Sequence, residues 1–166
     1  MSILRAISLS LVLGSTAFSH DPAPTPAPRK GTVVTTRATG TFEVKLSPLA
    51  VDDSSLSGVL GRIAIEKDYT GDLEGTSKGE MLTGTTAVKS SAGYVAVERV
   101  RGTLLGKTGT FILQHAGTMT RGVTVLSVTV VPDSGTGQLV GLTGSMSITI
   151  TPDGRHSYDF NFTLPK

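Results

Sequence analysis

The sequence predicts an all-β chain that closes into an eight-stranded antiparallel β-barrel, and three observations carry that expectation. Beyond Gly31 the chain is rich in Thr, Val, Ser and Gly and has no convincing stretch of apolar residues at helical spacing. Short strand-like segments recur with turn signals between them. Glycines also stand inside those segments, at Gly75, Gly79, Gly109, Gly141 and Gly144, where sharp coiling and close packing would need them. An even number of sequential hairpins can close on itself and leave no exposed edge. A two-sheet sandwich is the alternative, and the glycines favour the barrel.

The first strand is expected over residues 33–46, with Glu43 alternating against Phe42, Val44 and Leu46 and therefore pointing outward. Residues 47–57, with Pro48 and the run Asp52-Asp53-Ser54-Ser55, are long enough for an irregular excursion or a short helical turn. Further strands are expected over residues 60–69, 72–82, 93–102, 107–116, 122–131, 138–150 and 155–164.

Two hairpins can be registered. Around the turn Leu104-Leu105-Gly106-Lys107, a two- or a four-residue loop sets Glu98 opposite Leu113. Tyr94, Ala96, Glu98 and Val100 then share a face with Phe111, Leu113 and His115, and Arg99, Arg101, Thr110 and Gln114 take the other. Glu98 and His115 become diagonal neighbours with Cβ atoms roughly 7 Å apart. In the last hairpin, a three-residue loop Pro152-Asp153-Gly154 with Gly154 left-handed pairs Ile150 with His156, Ile148 with Tyr158, Met146 with Phe160 and Gly144 with Phe162. A two-residue loop would set Ile148 against Asp159 and Met146 against Asn161, so the apolar match selects the first register.

The ends define the domain plan: a signal peptide over residues 1–19, a Pro-rich linker over 20–31 and the barrel over 32–166. A basic Arg5, an apolar run and the small residues Ala17 and Ser19 have the pattern of a secretory signal cleaved near Ser19, which implies a secreted or periplasmic protein. The apolar run is about a dozen residues, short of the ~20 that span a bilayer, so no transmembrane segment is expected. Removal of the signal leaves about 147 residues, one domain by size. Cysteine is absent, which excludes disulfides, lipid attachment through cysteine, zinc fingers and thiol catalysis. The formal charge of +2 is carried by scattered basic residues without a run, and nucleic acid is not an expected partner.

At residues 94–117 and 134–144, and again at Tyr69-Thr70-Gly71-Asp72-Leu73-Glu74-Gly75 and His156-Ser157-Tyr158, the chain resembles a bacterial family of small barrels known as domain of unknown function 3224. That family is similar in fold to plant allene oxide cyclase and more distantly to dirigent proteins, and the likeness extends over residues 35–164. The resemblance implies an eight-stranded barrel with a partly apolar lumen, and a homo-oligomer as in the plant relatives. The plant cyclases depend on a lumenal carboxylate, whereas the first-strand candidate here, Glu43, should face outward.

The candidate catalytic residues are Glu98 and His115, a pair on an otherwise apolar face that could act as a base with its orienting partner or anchor a ligand's polar end. A structural pair inside a closed barrel, satisfied by each other, by the Tyr94 hydroxyl or by water, is the plainer alternative. The expected ligand contacts are Tyr94, Phe111, Leu113, Met146, His156, Tyr158, Phe160 and Phe162, with His156 and Tyr158 extending the polar patch near one mouth. No metal and no cofactor is expected, because no spacing requires the histidines to converge. A mature N-terminal His20 could chelate copper incidentally, and the loop Ser134-Gly135-Thr136-Gly137 is expected to be a tight connection, not an anion site. Nucleophile-elbow, Walker and zincin motifs are absent, and Asn161-Phe162-Thr163 is a sequon only in a glycosylating host. The leading functional expectation is a binder of a small apolar or amphipathic molecule. An isomerase or cyclase acting on an oxygenated lipid-like substrate, and a structural or interaction protein with an inert core, are the alternatives.

Overall fold

The computed structural model describes residues 34–165. The expected signal segment, the Pro-rich linker and His20 lie outside the described residues. Eight strands run β1 Thr36–Leu49, β2 Leu60–Gly71, β3 Leu73–Thr85, β4 Ala92–Leu104, β5 Lys107–Thr120, β6 Val123–Val130, β7 Thr143–Ile150 and β8 His156–Thr163. Each pairs antiparallel with the next, and β8 pairs with β1, so the barrel closes. β1 meets β8 through its first half (Thr36 to Phe42) and β2 through its second (Gly40 to Leu49), the stagger that closure of a tilted sheet demands.

Both hairpin registers appear as the sequence predicts. Glu98 faces Leu113, and Leu104 faces Lys107 across a two-residue loop whose residues Leu105 and Gly106 both have positive φ, 46° and 80°. That is the mirror-image turn whose twist matches its strands. In the last hairpin Ile150 faces His156, Met146 faces Phe160 and Gly144 faces Phe162, with Gly154 at φ 85°.

Some boundaries move. β1 continues past residue 46 to Leu49 and includes Pro48, which is tolerated because beyond Phe42 this strand borders β2 alone. Residues 54–56 form the expected short turn, a 3₁₀ helix capped by the Asp53 carboxylate, which accepts from the Ser55 amide at 2.9 Å. The seventh strand begins at Thr143, not at Gln138. Residues 137–139 are instead a 3₁₀ turn, and Leu139 and Leu142, three apart, are both fully buried. The same excursion completes the ladder of β5 where β6 has ended. The Thr136 amide donates to Thr110 O at 2.8 Å, the Ser134 hydroxyl accepts from the Ile112 amide at 3.1 Å, and the Gln138 side chain accepts from the Thr108 amide at 2.8 Å.

The interior divides into two halves. One is filled by Leu73, Leu104, Phe111, Leu113, Leu139 and Leu142 with Phe160 and Phe162. Phe111 stacks on Phe160 with centroids 5.9 Å apart, and Phe160 contacts Phe162 at 5.2 Å. The Tyr158 hydroxyl closes this half by accepting the Leu73 amide at 2.8 Å. The other half is an open cavity.

Strand glycines bring the backbones together, as at Gly79 opposite Glu98, where a Cβ would lie 2.2 Å from Val97 O and 2.6 Å from Glu98 Cα. Gly141 is the exception to the expected pattern, since it lies in a turn (φ 78°) against Pro165. Gly79→Ala must push β3 and β4 apart, so it is expected to lower stability by about 1–3 kcal/mol, read as a reduced urea midpoint. An unchanged midpoint would show that the sheet relaxes freely there.

Candidate functional site

Period-two alternation on four adjacent strands sends Lys67 and Tyr69 (β2), Ser77 (β3), Glu98 (β4) and His115 (β5) to the inside of the barrel, between its two halves. They converge on one carboxylate. Glu98 Oε1 accepts from Lys67 Nζ at 2.7 Å, from His115 Nε2 at 2.8 Å and from the Tyr69 hydroxyl at 3.3 Å, while Oε2 accepts from the Ser77 hydroxyl at 2.6 Å. Gly79, opposite Glu98 on β3, lets the backbone of β4 approach closely at this level.

The electrostatics follow from that donor set. Burial by itself would raise the Glu98 pKa, but the His115 hydrogen bond, the Lys67 charge and hydrogen bond and the Ser77 hydroxyl outweigh it and bring it from the ordinary 4.5 to about 2. Glu98 is therefore an ionised acceptor, and His115 Nε2 must carry the hydrogen it shares. Burial and the nearby negative charge both raise Tyr69, which stays a protonated donor. The Lys67 ammonium also lies 4.9 Å from the centroid of Phe42 and 5.9 Å from that of Tyr69, in cation–π range.

The sequence expectation of a Glu98–His115 pair holds, with a different supporting cast. The Tyr94 hydroxyl makes no hydrogen bond to Glu98 among the described residues. Its ring instead covers Gly117 across the β4–β5 ladder, where a Cβ would come within 2.2 Å of it. Lys67, Tyr69 and Ser77 were not singled out from the sequence. The alternation Ile65-x-Lys67-x-Tyr69 was the available signal, since it places the lysine between two inward residues.

Above the cluster lies a cavity of about 760 Å³. Phe42, Val44, Ile65, Met81, Leu126 and Ile148 give it an apolar wall, and Lys67 and His115 reach it from below. Of the eight residues expected to hold a ligand, Tyr94 and His156 line this space. His156 packs on Phe42 with centroids 5.0 Å apart. Phe111, Leu113, Met146, Tyr158, Phe160 and Phe162 do not line it; they pack the filled half or its boundary. Face parity was legible, but which end of the barrel stays open depends on the plug of Leu139 and Leu142. Glu43, Arg99 and Arg101 are exposed on the outside, as their parity requires. Among the described residues no group of three or more potential metal ligands converges, and no helix is long and apolar enough to cross a membrane.

Fold and site together define a small closed β-barrel with one packed end, a polar waist and one apolar cup. The chain belongs to the family described as protein of unknown function (DUF3224), whose model matches residues 38–162. It is similar to a crystal structure of a protein of unknown function from that family in Shewanella oneidensis MR-1, with 50% sequence identity and a TM-score of 0.74 over 80% of this chain and 100% of that one. No curated protein matches it.

The lowered pKa of Glu98 makes an acid-stability prediction. Its contribution is fully present above the unfolded-state value of 4.5 and is lost as pH falls through about 2. That difference corresponds to roughly 3 kcal/mol. Urea midpoints should fall for the wild type between about pH 5 and pH 2, and this part of the slope should vanish in Glu98→Gln. Parallel curves for the two proteins would show that the network contributes no pH-dependent stability.

Proposed function

We propose that this chain is an exported, non-covalent binder of a small, largely apolar or amphipathic molecule held in the open half of the barrel. The observation that carries the reading is the cavity itself: about 760 Å³ of mostly apolar wall with a few convergent polar groups at its base. Size and lining are those of a small-molecule site. The signal-like leader supports export, and the packed opposite half gives the cup a rigid floor.

The isomerase or cyclase alternative draws less support. It asks Glu98 to accept a proton, yet that carboxylate is occupied by four donors, held to about 2 and shielded from the cavity. The groups presented to a ligand are the ammonium of Lys67 and the imidazole of His115.

Native mass spectrometry after gentle purification should show retained small-molecule mass, and an apolar reporter dye should bind and be displaced by that extract. Thr83→Phe, which fills the cavity from its wall, should abolish dye binding without changing the far-ultraviolet spectrum. An empty barrel that takes up no apolar probe would overturn the proposal.

A further inference from the structure

Resting on the binding reading above, the geometry points to an apolar monocarboxylate as the ligand class, with its carboxylate seated on Lys67 and His115 and its tail rising along the apolar wall. Lys67 Nζ has one hydrogen-bond partner among the described residues, Glu98 Oε1, so two of its three N–H donors remain for a ligand. It lines the cavity. His115 gives its Nε2 hydrogen to Glu98, and no described residue bonds its Nδ1. Among the described residues no buried side-chain nitrogen or oxygen lacks a partner, so Nδ1 is reachable from the cavity. The negative member of the cluster is withdrawn: the Glu98 side chain is 0% exposed, and both its oxygens are occupied. A ligand entering the cup meets hydrogen-bond donors and one proton acceptor, not the carboxylate.

Charge balance decides the form in which the acid enters. Lys67 and Glu98 already cancel, so a bare carboxylate would bring an unmatched charge into an apolar cup. The acid instead enters with its proton: the O–H bond breaks, Nδ1 of His115 takes the proton, and the carboxylate lies between imidazolium and ammonium. The cluster plus ligand stays neutral. The titratable groups around this floor are Lys67 and Tyr69 on β2, Tyr94 and Glu98 on β4 and His156 on β8, with Ser77 on β3 and Phe42 on β1 completing the surround. An amine head finds the opposite of what it needs, because its partner carboxylate lies beneath Lys67.

The test compares decanoate, decanol and decylamine by calorimetry on the full mature chain. Decanoate should bind at least about tenfold more tightly than either analogue, the size expected of hydrogen bonds to a charged group. Decanoate binding should take up a proton, read as a binding enthalpy that changes with the buffer's ionisation enthalpy, whereas decanol binding should not. Lys67→Met should erase the preference and Lys67→Arg should keep it; the wild-type series decides the matter even if the variants fail to fold. Equal affinity for all three, or a preference for decylamine, would overturn the carboxylate inference and leave the binding reading standing. No binding of any of them, with an empty barrel by native mass spectrometry, would remove both.

Discussion

One buried carboxylate organises the middle of this barrel. Glu98 gathers donors from β2, β3 and β5, so a single side chain ties four adjacent strands together across the lumen. A charge at that depth is costly unless it is matched and fully hydrogen-bonded. Lys67 supplies the opposite charge at 2.7 Å, while His115, Tyr69 and Ser77 satisfy the rest. Removing Lys67 or Glu98 alone would leave the other's buried charge unanswered.

That waist separates two packing regimes. Toward the ends of β4 and β8 the barrel is filled by stacked phenylalanines and sealed by Leu139 and Leu142 from the 3₁₀ excursion. Toward the start of β4 the inward positions carry Ala92, Tyr94 and Ala96, and β5 contributes Gly117, over which the Tyr94 ring lies. A packed set of aromatic and leucine side chains on one side, and small residues interspersed among the wall on the other, give a barrel of eight strands both a core and a cup. The packed half lies directly against the waist on the side away from the cup.

Much of this was legible in the sequence. Alternation placed Glu98, His115 and the aromatic residues of β8 on the inside, and the turn chemistry of Leu105-Gly106 and Gly154 set registers that the barrel keeps. Three things were hidden for physical reasons. Lys67 is a lysine in a strand, a residue whose ordinary place is the solvent face, and only its buried counter-charge explains its inward turn. The plug at Leu139 and Leu142 reads as the start of β7, because two leucines three apart suit a strand's apolar content as well as a 3₁₀ turn. The open end could not be chosen without that plug, so Phe111, Phe160 and Phe162 looked like ligand contacts when they are core.

The placement of charge also constrains what chemistry the cup can support. A general base needs a free lone pair aimed at the substrate and a proton affinity suited to the working pH. Glu98 has neither, since its side chain is fully buried away from the cavity and its pKa is held to about 2. The polarity at the floor is therefore inverted relative to a carboxylate-driven isomerase: the anion is the inner, structural layer, and donors form the outer, exposed one. Such an arrangement fixes the side chains at the floor in advance. Lys67 and His115 are both oriented by their hydrogen bonds to Glu98, and the rings of Phe42 and Tyr69 lie against the ammonium. The barrel thus holds its own carboxylate beneath the cavity floor and its buried cation between that carboxylate and the apolar cup.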